Sequence, residues 1–267
     1  MTDYLILRFD APLQAWGDVA MDPWRPTRAF PSRSALAGLL ASALGWRYRD
    51  ADRTTALQDA LAYAVREDRR AEVIRDYQTA DLGAIGKQGW TRWGIETRGG
   101  ASAEGTHILE KFYLADGAFT IALGLRDTDG DVKIDQLEAA LRHPARPLFL
   151  GRRGCPPASP LLPSRSESAR IAAETPLDAL VQRWLAPTDR KRLAEVDRAE
   201  VRAWYDPTDG LSTYQRGLSA EEGGRIESQE VWDRRDFRSN RFGGSRRIAQ
   251  ILIPVAKLPD ESKEVRT

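Results

Sequence analysis

The sequence predicts an α+β fold whose N-terminal part has a ferredoxin-like arrangement. Over residues 4–150 the apolar patterns give the core order strand, helix, strand, strand, helix, strand, which is that arrangement. A glycine-rich insertion at about residues 79–106 interrupts this order. After residue 155 the pattern weakens. We therefore expect a ferredoxin-like domain over residues 1–155 and a smaller α+β or irregular region over residues 156–267.

The first half of this order rests on apolar periodicity and capping signals. Residues 4–9 are a short apolar run that predicts a buried strand, followed by a long irregular segment. A helix over residues 34–44 is predicted by serines at its start and by Gly45 at its end. Apolar residues spaced by four predict a second helix over residues 54–65. Alternation then predicts a half-buried strand over residues 72–78.

The second half begins with two predicted strands, residues 107–115 and 118–125. The Asp116-Gly117 pair between them predicts a hairpin turn. A helix over residues 132–142 and a short strand over residues 148–150 complete the order. The weaker C-terminal pattern predicts a helix over 176–185, a strand over 202–205, a polar loop over 210–224 and a last strand over 248–255.

Three arginines lead into the first predicted helix. Arg25, Arg28 and Arg33 precede or begin it, and Ser34 is one of two candidate capping residues. Because a helix N-terminus has unpaired N–H groups and a partial positive charge, guanidinium groups beside it favour a phosphate site. The alternative is a capped core helix with solvated arginines. Both interpretations remain open from the local sequence alone.

Two further segments combine cations with backbone freedom or aromatic rings. Arg152 and Arg153 stand between glycines in the Gly151–Cys155 stretch, where backbone N–H groups can also reach phosphate. The insertion interleaves tryptophans with cations, a composition that suits base stacking and phosphate contact or packing on a protein neighbour. Residues 232–247 carry six arginines among three aromatic residues, and predict either a nucleic-acid-facing segment or a solvated loop. The candidate RNA-binding residues of the insertion are Lys87, Trp90, Arg92 and Trp93.

Composition excludes several classes of function. The net charge is only +1, so overall charge does not indicate nucleic acid. One cysteine and two histidines leave no disulfide framework and no thiolate cluster, and we expect neither a metal nor another cofactor. The N-terminus lacks the charged and apolar regions of a signal peptide, and no apolar run is long enough to span a membrane. The expected location is cytoplasmic.

Several motifs occur together in a recognisable order. They are YLILRF from Tyr4, QAWG from Gln14, RPT from Arg25, PSRSALAGLLASALG from Pro31 and LFLGRRGCPP from Leu148. Taken together, this set resembles the CasD subunit family of type I-E CRISPR Cascade complexes, most densely over residues 4–46 and 147–163.

The resemblance implies a RAMP protein with a ferredoxin-like, RRM-like domain that holds the 5′ handle of the mature crRNA. It implies a thumb hairpin, at the position of residues 79–106, that packs against a Cascade backbone subunit. It also implies contact with the large subunit and, through the complex, with target DNA. In such systems a separate subunit cuts the precursor RNA, so the expected role is non-catalytic, with Arg28, Arg33, Arg152 and Arg153 as RNA ligands.

The alternative function is a metal-independent endoribonuclease that processes CRISPR repeat RNA. Its chemistry needs a base near a 2′-hydroxyl and a cation or acid near the leaving oxygen. His107, Lys111 and Tyr77 lie on neighbouring predicted strands and are the candidates, the first two also as RNA ligands. However, residues four apart on a strand lie roughly 13 Å from each other. A third hypothesis is a purely structural subunit that touches no RNA.

Overall fold

The computed structural model describes residues 1–20, 23–81, 88–91, 94–97, 106–126, 130–164, 169–197, 199–223 and 225–260. In chain order, the strands of these residues are β1 Thr2–Asp10, β2 Leu13–Gln14, β3 Trp24–Arg25, β4 Leu61–Arg69, β5 Glu72–Asp81, β6 Gln88–Thr91, β7 Gly94–Thr97, β8 Thr106–Ala115, β9 Ala118–Leu125, β10 Arg170–Ala173, β11 Glu200–Tyr205, β12 Glu227–Asp236 and β13 Arg241–Pro254. The α-helices are α1 Arg33–Ala43, α2 Ala51–Ala60, α3 Ile134–Arg142, α4 Pro176–Gln182, α5 Pro187–Glu195, α6 Thr213–Arg216 and α7 Ala220–Gly223.

A seven-stranded sheet forms the centre of the molecule, in the order β10-β1-β9-β4-β11-β13-β12. Every neighbouring pair in it is antiparallel, with Leu7 opposite Ile121 and Tyr63 opposite Leu123 as examples of the register. Helices α1 and α2 connect β1 to β4, and α3 lies on the connection from β9 to β10. The mixed α+β class is thus confirmed, with antiparallel sheets.

Strands from both sides of residue 155 belong to this one sheet. Strand β10 lies beside β1, while β11, β13 and β12 extend the sheet beyond β4. The predicted division into residues 1–155 and 156–267 stays a prediction. Within 210–224, the predicted polar loop contains the short helices α6 and α7.

Two predicted elements of the N-terminal order are wrong, and two predicted strands have a different place in the fold. The second helix ends at Ala60, and residues 61–65, predicted as helix, belong to strand β4. Residues 148–150 form no strand, and the next strand along the chain after α3 is β10. Residues 72–78 and 107–115 are strands as predicted, but they pair with each other outside the central sheet.

The second sheet is built around β8. Strand β5 pairs with it over ten positions, from Glu72 opposite Ala115 to Asp81 opposite Thr106, and β2 and β3 pair with its other edge. Asp116, at φ +51°, then turns the chain into β9 of the central sheet. The turn at Asp116-Gly117 therefore forms, but the predicted hairpin is wrong, because β8 and β9 belong to different sheets.

Two apolar layers cover the central sheet. Because successive side chains of a strand point to opposite faces, β1 contributes Leu5, Leu7 and Phe9 to one layer and Tyr4 and Ile6 to the other. The first layer packs against α1, α2 and α3, and the second against α4 and α5. In the part of the chain that the structure describes, no helix is long and apolar enough to cross a membrane.

Helix α1 forms as its sequence predicts. The Ser32 hydroxyl accepts a hydrogen bond from the Ala35 N–H at 3.3 Å, which makes Ser32 the N-cap residue. Gly45, at φ +77°, adopts the left-handed conformation that ends many helices. The helix packs Leu36 and Leu40 into the first apolar layer. Its start faces β12, and this junction positions the candidate site.

Candidate nucleic-acid interface

The start of α1 is occupied by an internal carboxylate. The backbone N–H of Arg33 donates to Asp233 Oδ2 at 2.9 Å, and its guanidinium donates to Asp206 Oδ2 at 2.8 Å. Arg33 is only 8% exposed, and Ser34 beside it is also buried. The structure therefore places these two predicted RNA ligands in the interior, where protein groups already take the position expected for a phosphate.

Arg246 completes a buried charge cluster, which consists of Arg33, Tyr63, Asp206, Asp233 and Arg246. Arg246 donates two hydrogen bonds of 2.9 Å to Asp233 and one of 3.2 Å to Asp206. Burial and repulsion from Arg246 lower the pKa of Arg33. Burial opposes the charge of Arg246 as well, but Tyr63 and Asp233 raise its pKa overall. Two cations and two carboxylates thus balance each other between α1 and the β12–β13 pair.

Arg28 links the loop before β3 to strand β12. Its Nη2 atom donates to Asp18 Oδ1 at 2.6 Å and to the Trp232 carbonyl at 3.0 Å. The side chain is largely buried, while Asp18 is one-third exposed. Arg28 therefore lies next to open surface but already has a carboxylate partner.

Arg152 fixes its loop to the second sheet. Its two terminal nitrogens donate to the carbonyls of Phe112 and Arg25, both at 2.8 Å, and its guanidinium lies 4.7 Å from the Tyr113 ring centroid. Gly151 permits this geometry, because a Cβ there would lie 1.7 Å from the Ala15 carbonyl oxygen. Since carbonyls do not neutralise a guanidinium, Arg152 keeps its positive charge at the surface of the molecule.

A cationic groove of about 970 Å³ runs between this loop and the β12–β13 hairpin. Asp18 and Ala20 also border it. Inside the groove, the Arg235 guanidinium lies 5.6 Å from the centroid of the Phe242 ring, and Trp232 is 51% exposed. The basic and aromatic residues that line this groove are Arg25, Arg152, Trp232, Arg235, Arg241 and Phe242.

The structure brings the two candidate ligands Arg25 and Arg152 into one groove. It adds a second wall, residues 232–247, whose role the sequence leaves undecided. Residues 232–247 are not a solvated loop, because β12 and β13 pair along them. The signal that could have identified this wall is the alternation of arginines and aromatic residues over this segment. Arg153 is exposed and does not line the groove.

The remaining candidates lie on the β5–β8 pair or in the insertion. Lys111 donates to Gln78 Oε1 at 2.6 Å and is not among the residues that line the groove. Lys87, Arg92 and Trp93 lie outside the described residues, as do the side chains of Trp90 and His107.

The three nuclease candidates do not converge on one face. Tyr77 lies opposite Glu110 in the β5–β8 register, whereas Lys111 lies opposite Asp76. Since neighbouring strand positions point to opposite faces, the Tyr77 and Lys111 side chains diverge. Cys155 is also unsuited to attack, because burial raises the pKa of its thiol. Among the described residues, no three His, Cys, Asp or Glu side chains are grouped to hold a metal ion.

A groove lined by arginines and aromatic rings on an α+β protein presents the types of side chain that contact single-stranded nucleic acid in other proteins. The chain matches the family model described as CRISPR-associated protein (Cas_Cas5) over residues 4–247, and it therefore belongs to this CRISPR-associated family. The family resemblance seen in the sequence motifs is thus confirmed.

The relatives agree with this assignment. The chain is 38% identical over 169 residues to the CRISPR system Cascade subunit CasD of Escherichia coli strain K12, which covers 60% of this chain and 70% of that protein. A chain of a solved CRISPR RNA-guided surveillance complex shares the fold with a TM-score of 0.61 and 24% identity, over 96% of this chain and 93% of that chain. A second solved Cas protein gives a TM-score of 0.58 and 21% identity, over 96% and 98% of the two chains.

Proposed function

We propose that this protein is a non-catalytic, crRNA-binding subunit of a type I-E CRISPR Cascade complex. It holds the 5′ handle of the mature crRNA in the cationic groove. The observation that carries the proposal is the groove itself, where the Arg25, Arg152 and Arg241 side chains line the same surface as two aromatic rings. The relative named as Cascade subunit CasD supports the same assembly.

The groove has the chemistry that a single RNA strand requires. Guanidinium groups make forked, charge-assisted hydrogen bonds to phosphate oxygens, and aromatic rings stack on unpaired bases. Trp232 and Phe242 lie on adjacent strands and border the groove beside the arginines. A strand of RNA can therefore place its phosphates on one set of groups and its bases on the other.

The architecture supports a ferredoxin-like, RRM-like assignment. Strands β10, β1, β9 and β4 are the fourth, first, third and second strands of a β-α-β-β-α-β unit, and they are adjacent in that order. Strands β5 and β8 extend toward the insertion as the proposed thumb hairpin. This arrangement leaves the groove and the hairpin as separate surfaces for RNA and for protein.

The proposed thumb packs against a Cascade backbone subunit. Val73 and Tyr77 share one face of the β5–β8 pair and are 64% and 53% exposed, so this face offers apolar surface on which a protein neighbour can pack. The large subunit is the further proposed neighbour, and target DNA is reached only through the complex. The proposed location is cytoplasmic, without a membrane partner.

The test measures RNA binding by the purified full chain. Labelled RNA with the repeat-derived 5′ end of the crRNA is titrated against the wild type, Arg241→Ala and Arg247→Ala. Both variants remove one positive charge from β13, but only Arg241 lines the groove. We expect Arg241→Ala to weaken binding severalfold and Arg247→Ala to leave it nearly unchanged. Absence of binding by the wild type, or equal effects of the two variants, would contradict the proposal.

A second experiment separates the proposed role from the endoribonuclease alternative. Labelled repeat RNA and mature crRNA are incubated with the lone protein in a chelator, and both retention and cleavage are scored. The proposed role predicts retention of the crRNA without cleavage of either RNA. Site-specific cleavage of repeat RNA by the wild type would overturn the non-catalytic role.

A further inference from the structure

One carboxylate stands among the cations of the groove. Of the described residues that line it, four are arginines and Asp18 is the one acidic residue. Its side chain is one-third exposed, so a ligand in the groove can reach it. A carboxylate repels phosphate and therefore lowers the affinity of a binding surface for any polyanion. Attraction of phosphate thus does not explain an aspartate at this position.

The Asp18 carboxylate is held in one orientation. Its Oδ1 atom accepts from Arg28 Nη2 at 2.6 Å and from the backbone N–H of Val19 at 2.7 Å. The same Arg28 nitrogen donates to the Trp232 carbonyl at 3.0 Å, which ties the carboxylate to the second wall of the groove. A group that is fixed before binding loses little conformational freedom when a ligand arrives. The carboxylate is therefore preorganised to make a specific contact.

The second carboxylate oxygen, Oδ2, has no hydrogen-bond partner among the described residues. Because an ionised carboxylate only accepts hydrogen bonds, this atom can bind only a group that donates one. The backbone of DNA, made of phosphates and deoxyribose, offers no such donor within the chain. The backbone of RNA offers one in every nucleotide, the 2′-hydroxyl. The two backbones therefore differ at Asp18 between repulsion alone and repulsion offset by a hydrogen bond.

We propose that Asp18 selects RNA over DNA by accepting a hydrogen bond from the 2′-hydroxyl of one ribose in the groove. The inference rests on the proposed function, and it assigns to this residue discrimination of the sugar rather than attraction of the strand. Each ribose lies between two phosphates, so guanidinium groups that hold phosphates, such as those of Arg25 and Arg152, bring a ribose to the same surface. A site that leaves its polar group unpaired rejects the analogue that lacks the hydroxyl.

The first part of the test compares RNA with DNA of the same sequence. The repeat-derived 5′ segment is made in both forms, and binding to the full chain is followed by fluorescence anisotropy. We expect Asp18→Ala to tighten DNA binding and to lower the ratio of RNA affinity to DNA affinity about tenfold, the size of one charge-assisted hydrogen bond. A loop that is merely loosened would bind both strands more weakly and leave this ratio unchanged.

The matched control is Asp59→Ala. It also removes a carboxylate that pairs with an arginine, but Asp59 does not line the groove. The two variants change the net charge equally, so an effect of overall charge would appear in both. We expect Asp59→Ala to keep the RNA-to-DNA ratio of the wild type. Equal ratios in the two variants would overturn the role of Asp18.

The second part identifies the hydroxyl. The RNA is made with one 2′-deoxy nucleotide at a time and bound to the wild type and to Asp18→Ala. One deoxy position should weaken wild-type binding about tenfold and have no further effect on Asp18→Ala, because both changes remove the same contact. A deoxy effect of equal size in the two proteins at every position would contradict the proposal. Coupling of Asp18 to a base exchange instead would overturn the assignment to the sugar.

Two further measurements keep the outcome interpretable. Thermal melting checks that Asp18→Ala is folded. If it is not, Asp18→Asn keeps the size of the side chain and one oxygen acceptor without the charge, and it should lower the RNA-to-DNA ratio severalfold. Failure of the wild type to bind the RNA would overturn the proposed function. RNA binding with a ratio that the folded Asp18 variant does not change would overturn only this inference.

Discussion

The buried charge cluster and the cationic groove share two parts of the chain, yet their arginines differ in role. Both combine the segment leading into α1 with the β12–β13 hairpin. In the cluster, Arg33 and Arg246 face Asp206 and Asp233, so their charges are neutralised within the protein. In the groove, Arg152 faces carbonyls and keeps its charge available. Proximity to a helix start is therefore a weaker guide to phosphate binding than the absence of a matching carboxylate.

The two regions should respond oppositely to mutation. Removing one partner of a buried ion pair leaves an uncompensated charge in the interior, which strongly destabilises the fold. Removing an exposed arginine changes stability little but alters the attraction for a polyanion. Variants of the cluster and of the groove are therefore compared by two quantities, the free energy of unfolding and the RNA affinity.

The largest expected loss of stability comes from Asp233→Ala. Asp233 is fully buried and accepts from Arg246 and from the first N–H of α1. We expect the free energy of unfolding, measured with urea, to fall by about 3–5 kcal/mol. The control is Asp59→Ala, which breaks the exposed pair with Arg234 and should cost less than about 1 kcal/mol. Similar losses in the two variants would show that burial does not distinguish these pairs.

A smaller loss of stability is expected from Arg152→Ala. Arg152 lines the groove, but it also holds its loop in place through hydrogen bonds to the protein backbone. Its removal leaves the Phe112 and Arg25 carbonyls without their donor, for an expected cost of about 1.5–3 kcal/mol. RNA binding should weaken in the same variant. The exposed neighbour Arg153→Ala should change stability by no more than about 0.5 kcal/mol. Equal effects of the two variants on unfolding would mean that the Arg152 hydrogen bonds contribute nothing.

The charge cluster should also make stability depend on acid. Burial raises the pKa of Asp206, but hydrogen bonds from Thr208 and the charges of Arg246 and Arg33 outweigh it, so the pKa lies below its usual value. Such a carboxylate stabilises the fold above its unfolded pKa, and this stabilisation disappears as pH falls through the folded pKa. Urea unfolding between pH 7 and pH 3 should therefore show a steeper loss below about pH 4 in the wild type than in Asp206→Asn. Identical profiles would contradict this assignment.

The smallest effect on stability is expected from Arg241→Ala in the groove. Its side chain is exposed, so the free energy of unfolding should change by no more than about 0.5 kcal/mol. The slope of log affinity against log salt should nevertheless become shallower by about one, because one phosphate contact is lost. A large change in stability with an unchanged salt slope would place Arg241 with the buried cluster instead.

Local patterns predicted the parts of the fold that local interactions determine. Strand β1 and helix α1 agree with their predictions, since an apolar run, a serine cap and a C-terminal glycine act within a few residues. Strand β4 was missed because it is buried on both faces. Leu57, Leu61 and Val65, spaced by four, fit a helix as well as they fit such a strand.

Strand pairing and side-chain contacts between distant residues could not be predicted from local patterns. Asp116 provides the turn that the sequence indicates, but the choice of partner strand depends on the second sheet. For the candidate site, Arg25 and Arg152 were identified by charge and loop position. Arg33 carried the same signal, but the structure buries it against two carboxylates that lie 173 and 200 residues further along the chain.

This sequence separation bears on the protein's biosynthesis. The carboxylates of the cluster leave the ribosome about 170 to 200 residues after Arg33, Asp233 as part of β12 and before β13. Until that point, the first turn of α1 lacks its carboxylate and the groove lacks one wall. A nascent chain therefore lacks the complete groove, and in the proposed role crRNA loading follows translation of the hairpin. In that role, guide capture is coupled to synthesis of nearly all of the sheet.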